Sequence, residues 1–591
     1  MAMRFLSGRT TPGLVDLSVL AVVVGMITGV GAIAFRLLIG LIHNLLFLGQ
    51  VSAFYDANLH TPPGPWGALV ILVPVIGGLG VTFLVTTFAP EARGHGVPEV
   101  MDAIYYREGV IRPMVAAIKS LASALSIGSG ASVGREGPII QIGASLGSTL
   151  GQILPVTPWQ RITLVAAGAG AGIAATFNTP IGGVMFAIEL LMPEISVRTF
   201  LPVALATGTA TFIGRLFLGM QPAFTILPAG ADADPSLLLL GLYGVLGVLV
   251  GVAATGFVRG LHLAERVFDR IGSSYLRHAV GMLVLGTLIY ALQRAFGHYF
   301  VEGVGYSTIQ DILFGQLGVP GLLFLLWVLK LAATSLSLGS GASGGIFSPS
   351  LFMGATLGGA FGALAQMLMP AAQVSVPAFA MVGMGAMVGG GTGAAMTAVI
   401  MIFEMTRDYD IVMPMIVAVA LSIGVRRVLS RENIYTIKLV ARRHFIPKAL
   451  HANMFLVRQA AEVMDRDVLV LDAATPLDRF LRDVPEGTAL KHIAVCRGER
   501  ICGVLRINTG LRKGLAGAHT GLTLGDVAQT NFTIARADDT VFDVITRLWR
   551  KGGAMAIVVR GAARPRADAV VGMITKEHIA DSVAESVKPY A

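Results

Sequence analysis

Long apolar stretches fill the chain from about residue 14 to about residue 430, and glycine or proline interrupts many of them. Apolar runs of this kind are typical of membrane-spanning helices, which need about 20 residues to cross the hydrocarbon core. The interruptions indicate tilted and broken helices, because irregular backbone at membrane depth is tolerated only beside protein or water. The pattern predicts an all-α polytopic membrane domain over 14–440, preceded by a cytoplasmic segment 1–13.

A second pattern, with many charged residues and short apolar runs, begins near Arg442 and Arg443. Short β-branched runs alternate there with amphipathic helical ones, and the order repeats at an offset of 64 residues. We therefore predict a linker over 441–455, followed by a soluble α/β domain of two motifs, 456–515 and 521–585.

Composition narrows the class of protein. Of the 591 residues, 54% are hydrophobic and only 13% are charged, whereas about 25% of the residues in a soluble protein are charged. The net charge of +9 is expected in basic loops on the inner side of the membrane and does not indicate a nucleic-acid partner. The two cysteines, Cys496 and Cys502, fit neither a zinc site nor a disulfide framework. We expect no required cofactor, no metal site and no enzymatic activity.

The membrane domain contains an internal duplication. Residues 119–147 align without a gap with residues 330–358, at an offset of 211. A second block aligns at an offset of 215 and ends on Glu189 in one copy and on Glu404 in the other. Two ordered blocks at nearly constant spacing predict two homologous halves, with a transport site at their interface.

The halves cover about 14–220 and 236–430. Lys119 and Lys330 are matched between them, and we expect these lysines either to steer anions or to be charges at cytoplasmic helix ends. The two matched glutamates are expected to be structural.

Each half carries a glycine-serine stretch that ends in a proline, GSGASVGREGP at Pro138 and GSGASGGIFSP at Pro349. GHGVPEV, from Gly94 to Val100, has a similar glycine and proline spacing. A helix that begins just after such a loop presents free N–H groups and a partial positive charge. Converging helix starts near mid-membrane would form an anion site without a full positive charge, which binds an ion weakly enough to release it.

Glu136 breaks this pattern, because a carboxylate at an anion site competes with the ion. It could occupy the site as a tethered anion and leave when protonated, which would make it a gate and a proton carrier. The alternative is a structural role, as a partner of Arg135 or as a charge at a helix N-terminus.

At these residues the chain resembles the CLC family of chloride channels and chloride/proton antiporters. GREGP, at 134–138, is similar to the gating-glutamate motif of that family, and GIFSP, at 345–349, is similar to its anion-site motif. GHGVP stands where the family usually has GSGIP, and NIYTIK matches the segment that carries the pore tyrosine. The resemblance implies an inverted repeat, a homodimer with one anion pathway per subunit, and a C-terminal pair of CBS motifs.

The resemblance also implies roles residue by residue. Glu136 corresponds to the gate, and the backbone N–H groups of Ile346 and Phe347 correspond to donors that face the central anion. The hydroxyl of Tyr435 would donate to the same ion. The backbone of two further residues would lie near the outer position of the anion, namely Gly134 and Arg135.

Two positions depart from the family pattern. His95 stands where the family has an anion-coordinating serine, so either its imidazole donates to the anion or only its backbone lines the pathway. Leu190 stands where similar antiporters carry the second of two glutamates, the internal proton relay. Leucine cannot carry a proton, so this position favours a channel or another proton route through water.

The CBS pair is a candidate site for an adenine nucleotide. Sites of this kind often use Thr or Ser, with an Asp three residues later that holds the ribose. The second motif has Thr575, but His578 replaces the aspartate, and Arg506 takes the hydroxyl position in the first motif. We expect weak nucleotide binding or none, and a purely structural dimerising module is the alternative.

These features predict transmembrane chloride transport through a glutamate-gated CLC-type pathway, in the first place as a voltage- or proton-sensitive channel. The alternatives are a chloride/proton antiporter and a fluoride-selective exporter. A nucleotide-sensing regulatory membrane protein is a distant alternative. We expect a multi-pass homodimer in a bacterial-type inner membrane, with the CBS pair in the cytoplasm.

Overall fold

The computed structural model describes residues 13–192, 195–226, 236–442, 444, 459–483, 492–506, 521–553, 555–561 and 566–580. The chain divides into two compact units between residues 446 and 447. The predicted segment 1–13 and the predicted linker 441–455 lie almost wholly outside the described residues.

The first unit is helical. In chain order its helices are α1 (Leu14–His43), α2 (Val73–Phe88), α3 (Val97–Tyr106), α4 (Met114–Gly128), α5 (Glu136–Ile153), α6 (Pro158–Phe177), α7 (Pro180–Phe186), α8 (Val197–Leu218), α9 (Leu237–Phe268), α10 (Ser274–Phe296), α11 (Tyr306–Leu313), α12 (Pro320–Ser340), α13 (Phe347–Leu368), α14 (Val376–Thr392), α15 (Ala395–Thr406), α16 (Val412–Leu429) and α17 (Thr436–Ala441). Among the described residues, eight helical segments are long and apolar enough to cross a membrane. Helices such as α7 and α11 are far shorter, so the predicted all-α polytopic fold of broken helices is confirmed.

The two halves meet about a two-fold axis at the glycine loops. Gly134 and Gly345, which the repeat aligns, exchange backbone hydrogen bonds of 2.7 and 2.5 Å in an antiparallel bridge. Because equivalent residues pair reciprocally and antiparallel, the second half is turned by about 180° relative to the first. This two-fold relation is the one expected of an inverted repeat, with α5 and α13 as equivalent helices that begin beside the bridge.

Glycines bring the central helices of each half into backbone contact. A Cβ atom on Gly143 of α5 would lie 2.1 Å from the carbonyl oxygen of Gly168 of α6. A Cβ atom on Gly168 would likewise lie 2.1 Å from the carbonyl oxygen of Gly143. The equivalent pair, Gly354 of α13 and Gly383 of α14, gives 2.4 and 2.3 Å. Any side chain at these positions would separate the helices, which explains why glycine recurs at the same places in both halves.

The matched lysines do not lie at exposed helix ends, which was one of the two roles expected from the sequence. Lys119 and Lys330 are both completely buried. Nζ of Lys119 donates to two backbone carbonyls in the segment before α3, at 2.9 and 2.7 Å, and Nζ of Lys330 donates to two carbonyls before α11, at 3.0 and 2.8 Å. Each lysine therefore fixes a loop inside the protein, and neither lies at an exposed helix end.

The second unit contains two small mixed sheets with one topology. Its helices are α18 (Ala460–Val463), α19 (Leu477–Asp483), α20 (Leu524–Val527) and α21 (Val541–Lys551). Its strands are β1 (Val468–Asp472), β2 (His492–Arg497), β3 (Arg500–Arg506), β4 (Phe532–Arg536), β5 (Met555–Val559) and β6 (Val570–Thr575). In each sheet the first strand pairs parallel with the second, and the second pairs antiparallel with the third. The helix and strand starts repeat at about the spacing that the sequence predicted.

Candidate anion-binding site

Three glycine loops converge at the interface of the two halves. Gly94 forms a parallel bridge with Ser343, beside the bridge between the two aligned glycines. A Cβ atom on Gly137 would lie 2.1 Å from the carbonyl oxygen of His95 and 3.0 Å from Cα of Gly345. The helices α3, α5 and α13 all begin at this junction, so their free N–H groups and partial positive charges are brought together.

The carboxylate of Glu136 occupies the centre of this junction. Glu136 is the first residue of α5 and is 1% exposed. Its Oε2 accepts a hydrogen bond of 3.2 Å from the backbone N–H of Ser348, in the first turn of α13, and the Ser348 hydroxyl donates to Oε1. A Cβ atom on Gly134 would lie 2.1 Å from Oε2, so only glycine leaves room for the carboxylate there. A carboxylate thus lies where helix starts from both halves offer donors to an anion.

Tyr306 is the second side chain that holds Glu136. Its hydroxyl donates a hydrogen bond of 2.6 Å to Oε1 and lies 2.7 Å from the hydroxyl of Ser348. Tyr306 is 1% exposed, and its ring packs edge-on against Phe224, with a centroid distance of 5.2 Å. The tyrosine is therefore fixed by packing and presents its hydroxyl to the carboxylate.

A polar cavity of about 540 Å³ leads to this tyrosine from one side. Its lining includes Arg36, Arg135 and Arg215, together with Asp56 and the ring of Tyr306. Three arginines against one aspartate in a concave space attract anions. Because the lining also includes the tyrosine that donates to Glu136, the cavity reaches a side chain in direct contact with the carboxylate.

The predicted backbone donors lie at the junction. Ile346 is the residue before α13, Phe347 is its first residue, and both are at most 4% exposed. Arg135 stands just before α5, and its guanidinium carbon lies 5.2 Å from the ring centroid of Tyr306 and 5.7 Å from that of Phe177. The backbone of Arg135 thus belongs to the junction, while its side chain lines the cavity.

His95 and Tyr435 lie together in the interior. Both are 1% exposed, and their ring centroids are 5.8 Å apart. Among the described residues, neither ring nitrogen of His95 has a hydrogen-bond partner. An unpaired buried polar group is costly, so the imidazole is available to a ligand. This orphaned ring favours the first of the two sequence interpretations, in which the side chain itself donates to the anion.

Glu189 and Glu404 have reciprocal structural roles. Glu189 accepts hydrogen bonds from the backbone N–H groups of Met396 (3.2 Å) and Thr397 (2.8 Å), at the start of α15. Glu404, on α15, accepts from two N–H groups at the start of α7, at 3.1 and 2.7 Å. Each carboxylate therefore caps the helix start in the opposite half. Leu190 follows Glu189 in the π-helical turn Ala187–Leu191, and its side chain adds no titratable group there.

The residues predicted to contact a nucleotide are engaged within the second unit. The hydroxyl of Thr575 accepts a hydrogen bond of 3.2 Å from the backbone N–H of His578. Nη1 of Arg506 donates to Oε1 of Glu577 at 2.7 Å. Arg506 stands where a nucleotide site would have a hydroxyl group, and its guanidinium is already paired with Glu577.

Tyr306 and Ser348 were not identified from the sequence. Ser348 is the residue between Phe347 and Pro349 in GIFSP, so the motif itself contained the signal for a further donor. Tyr306 directly follows the glycine turn at 303–305, which resembles the turn at 94–96 before α3, so a fourth glycine signal was present in the sequence. The contact of its hydroxyl with Glu136 depends on how α11 packs against α13 and α14.

Comparison with known proteins settles the family. A family model described as voltage gated chloride channel matches residues 77–427. The chain belongs to this family. This CLC protein is 32% identical over 403 residues to the H(+)/Cl(-) exchange transporter ClcA of Salmonella newport, an alignment that covers 67% of the chain and 82% of that relative.

Solved structures agree with this assignment. A slow cyanobacterial Cl⁻/H⁺ antiporter matches with a TM-score of 0.65 and 27% identity, covering 73% of the chain and 99% of its own. A eukaryotic CLC transporter, at 20% identity and a TM-score of 0.58, covers 95% of the chain and 97% of its own and shows the shared fold. The protein is a multi-pass CLC-type chloride transport protein and not an enzyme.

Proposed function

We propose that this protein exchanges chloride for protons across the membrane, with Glu136 as both gate and proton carrier. The observation that carries the proposal is the position of its carboxylate, which accepts hydrogen bonds from Ser348 and Tyr306 at the converging helix starts. A carboxylate and a chloride ion cannot occupy the same donors together. Protonation removes the negative charge and frees the donors for chloride, so proton and anion alternate at one place.

Similarity supports exchange over the channel interpretation that the sequence favoured. The relatives described above include proteins named as an H(+)/Cl(-) exchange transporter and a Cl⁻/H⁺ antiporter. Leu190 requires that protons reach Glu136 on the inner side by a route without the second glutamate, through water rather than along a side chain. A channel is the second candidate, and the missing acid at Leu190 is the observation that favours it.

Chloride is the proposed anion, and His95 is proposed to contribute to its selection. Helix N–H groups, the Tyr435 hydroxyl and an imidazole N–H offer donors without a full positive charge, which suits an ion that must also leave. A fluoride-selective exporter is the competing assignment, since His95 replaces the family's serine.

We further propose that the second unit is a cytoplasmic pair of CBS motifs and that the protein is a homodimer. The two matched β-β-β sheets support the CBS assignment. Nucleotide binding is proposed to be weak or absent, because His578 stands in place of the aspartate and Arg506 is paired with Glu577.

A proteoliposome experiment tests exchange directly. A chloride gradient is imposed without a proton gradient, and internal pH and chloride are recorded together. We expect chloride moving down its gradient to drive protons in the opposite direction and to build up a pH difference, which a proton ionophore should abolish. Chloride flux without uphill proton movement would establish the channel, and the absence of both fluxes in protein-containing vesicles would contradict either function.

A further inference from the structure

A cluster of two histidines and one aspartate lies in the second unit, far from the anion site in sequence. Nδ1 of His492 is 3.4 Å from Oδ2 of Asp465, and Nε2 of His578 is 3.8 Å from the same oxygen. The three ligand atoms all lie within 4.8 Å of one another. The transport pathway does not use this cluster, and of its three residues only His578 stands at a position expected to contact a nucleotide.

The buried histidine lies close to Asp465 and His578 but makes no hydrogen bond through its ring within the part of the chain that the structure describes. The side chain of His492 is 2% exposed, and neither of its ring nitrogens has a hydrogen-bond partner among the described residues. A buried imidazole that lacks hydrogen bonds is destabilising relative to a paired one. Its Nδ1 lies 3.4 Å from Oδ2 of Asp465 without forming a hydrogen bond, so this unsatisfied atom lies inside the cluster.

We propose that Asp465, His492 and His578 bind one divalent transition-metal ion of the zinc class. Two imidazoles and a carboxylate are ligands that Zn²⁺ prefers, whereas Mg²⁺ and Ca²⁺ prefer oxygen ligands alone. Ligand atoms around a tetrahedral Zn²⁺ lie about 3.4 Å apart, given bonds of about 2.1 Å. Small side-chain movements would bring the observed separations down to this value.

The cluster has an open side and a compatible charge. The side chains of Asp465 and His578 are 25% and 23% exposed, so an ion can enter and a water molecule can complete four-fold coordination. Arg506, the cross-strand partner of His492, is the nearby cation that would oppose a metal, and it is paired with Glu577. One contact must give way: Thr575 N–H donates to Nδ1 of His578 at 3.4 Å, and metal binding through Nε2 moves the ring proton to Nδ1.

The metal would join the two motifs. Asp465 precedes β1 and His492 lies on β2, in the first motif, whereas His578 follows β6 in the second. The backbone of Asp465 already pairs with Met573 on β6. A bound ion would therefore cross-link the two halves of this unit and raise its resistance to unfolding. His578, which replaces the nucleotide-binding aspartate, would then bind a metal ion in place of a nucleotide.

Metal titration of the full-length chain, purified without a histidine tag and stripped with a chelator, tests the site. We expect calorimetry to give one Zn²⁺ per chain and Co²⁺ to give the intense visible absorption of a tetrahedral site. Asp465→Asn and His578→Asn should each weaken binding by about 100-fold or more, since even outer-shell changes at metal sites cost about 10–100-fold. His492→Gln should also weaken binding. Because His492 is buried, this substitution could disturb folding, so the variants at the two partly exposed positions decide the test.

Controls separate this site from binding elsewhere. Cys502→Ser should leave Zn²⁺ affinity unchanged, because the thiol lies outside the cluster and contacts the carbonyl of Val495. Zn²⁺ should raise the unfolding temperature of the native chain but not that of Asp465→Asn or His578→Asn. Absence of saturable Zn²⁺ binding, undiminished affinity in both variants, or loss of binding in Cys502→Ser would each overturn the proposal.

Discussion

The hydroxyl of Tyr306 donates a 2.6 Å hydrogen bond to the carboxylate of Glu136, and thereby joins α11 to the first residue of α5. The bond crosses from one half of the inverted repeat to the other. It holds the carboxylate at the converging helix starts, so under the proposed mechanism Tyr306 restrains the departure of Glu136.

Tyr306→Phe should accelerate chloride turnover. A hydrogen bond to a charged group contributes about 1.5–3 kcal/mol, and 1.4 kcal/mol corresponds to tenfold. If departure of the carboxylate limits transport, we expect an increase of roughly tenfold in chloride efflux from proteoliposomes. Tyr290→Phe, on α10, is the matched control and should leave efflux unchanged. An unaltered or slower rate in Tyr306→Phe would show that this bond does not restrain the gate.

His95→Phe should lower chloride transport without lowering the stability of the protein. Phenylalanine fills a similar space but has no N–H to donate, so chloride flux should fall while the protein, relieved of an unpaired buried imidazole, unfolds at the same or a higher temperature. The measurements are chloride efflux and thermal unfolding of the purified protein. His262→Phe, at a half-exposed position, is the control. Normal flux in His95→Phe would mean that only the backbone lines the pathway.

Glu189→Gln and Glu404→Gln should destabilise the protein by similar amounts. Each glutamate caps a helix start in the other half with two N–H bonds, and loss of a charged cap costs about 1–2 kcal/mol. Thermal unfolding should show comparable decreases for the two variants, with the proton-to-chloride ratio unchanged. Glu432→Gln serves as the control. A selective loss of proton coupling in Glu189→Gln would instead identify Glu189 as a proton relay.

Adenine nucleotides should bind the full-length chain weakly or not at all. The hydroxyl of Thr575 already accepts from the backbone of His578, and the position expected to hold the ribose carries an imidazole. Calorimetry with ATP, and separately with AMP, checks this. Micromolar affinity for either nucleotide would refute the interpretation of these two substitutions.

Sequence spacing predicted which helices begin at the junction of the two halves, because glycine and proline mark helix starts. The duplicated motifs place Phe347 and Glu136 at equivalent starts. Tyr306 follows a Gly-x-Gly turn at 303–305, but its contact with Glu136 could not be predicted, since it depends on the tertiary packing of α11 against α13 and α14.

Charged side chains were harder to interpret than backbone motifs. Lys119 and Lys330 were assigned to steering or to helix ends, because sequence position alone does not reveal that a lysine is buried against loop carbonyls. The zinc-class cluster was missed for a related reason: Asp465, His492 and His578 are widely separated in the chain and become neighbours only when the two sheets form.

The most direct test of the account is Glu136→Gln in proteoliposomes, with chloride and pH recorded together. Glutamine resembles the protonated gate, so chloride flux should persist or increase while chloride-driven proton movement disappears. Glu108→Gln, at an exposed turn, should keep both. Proton pumping that survives in Glu136→Gln at the native ratio would contradict the claim that this carboxylate alternates with chloride and carries the proton.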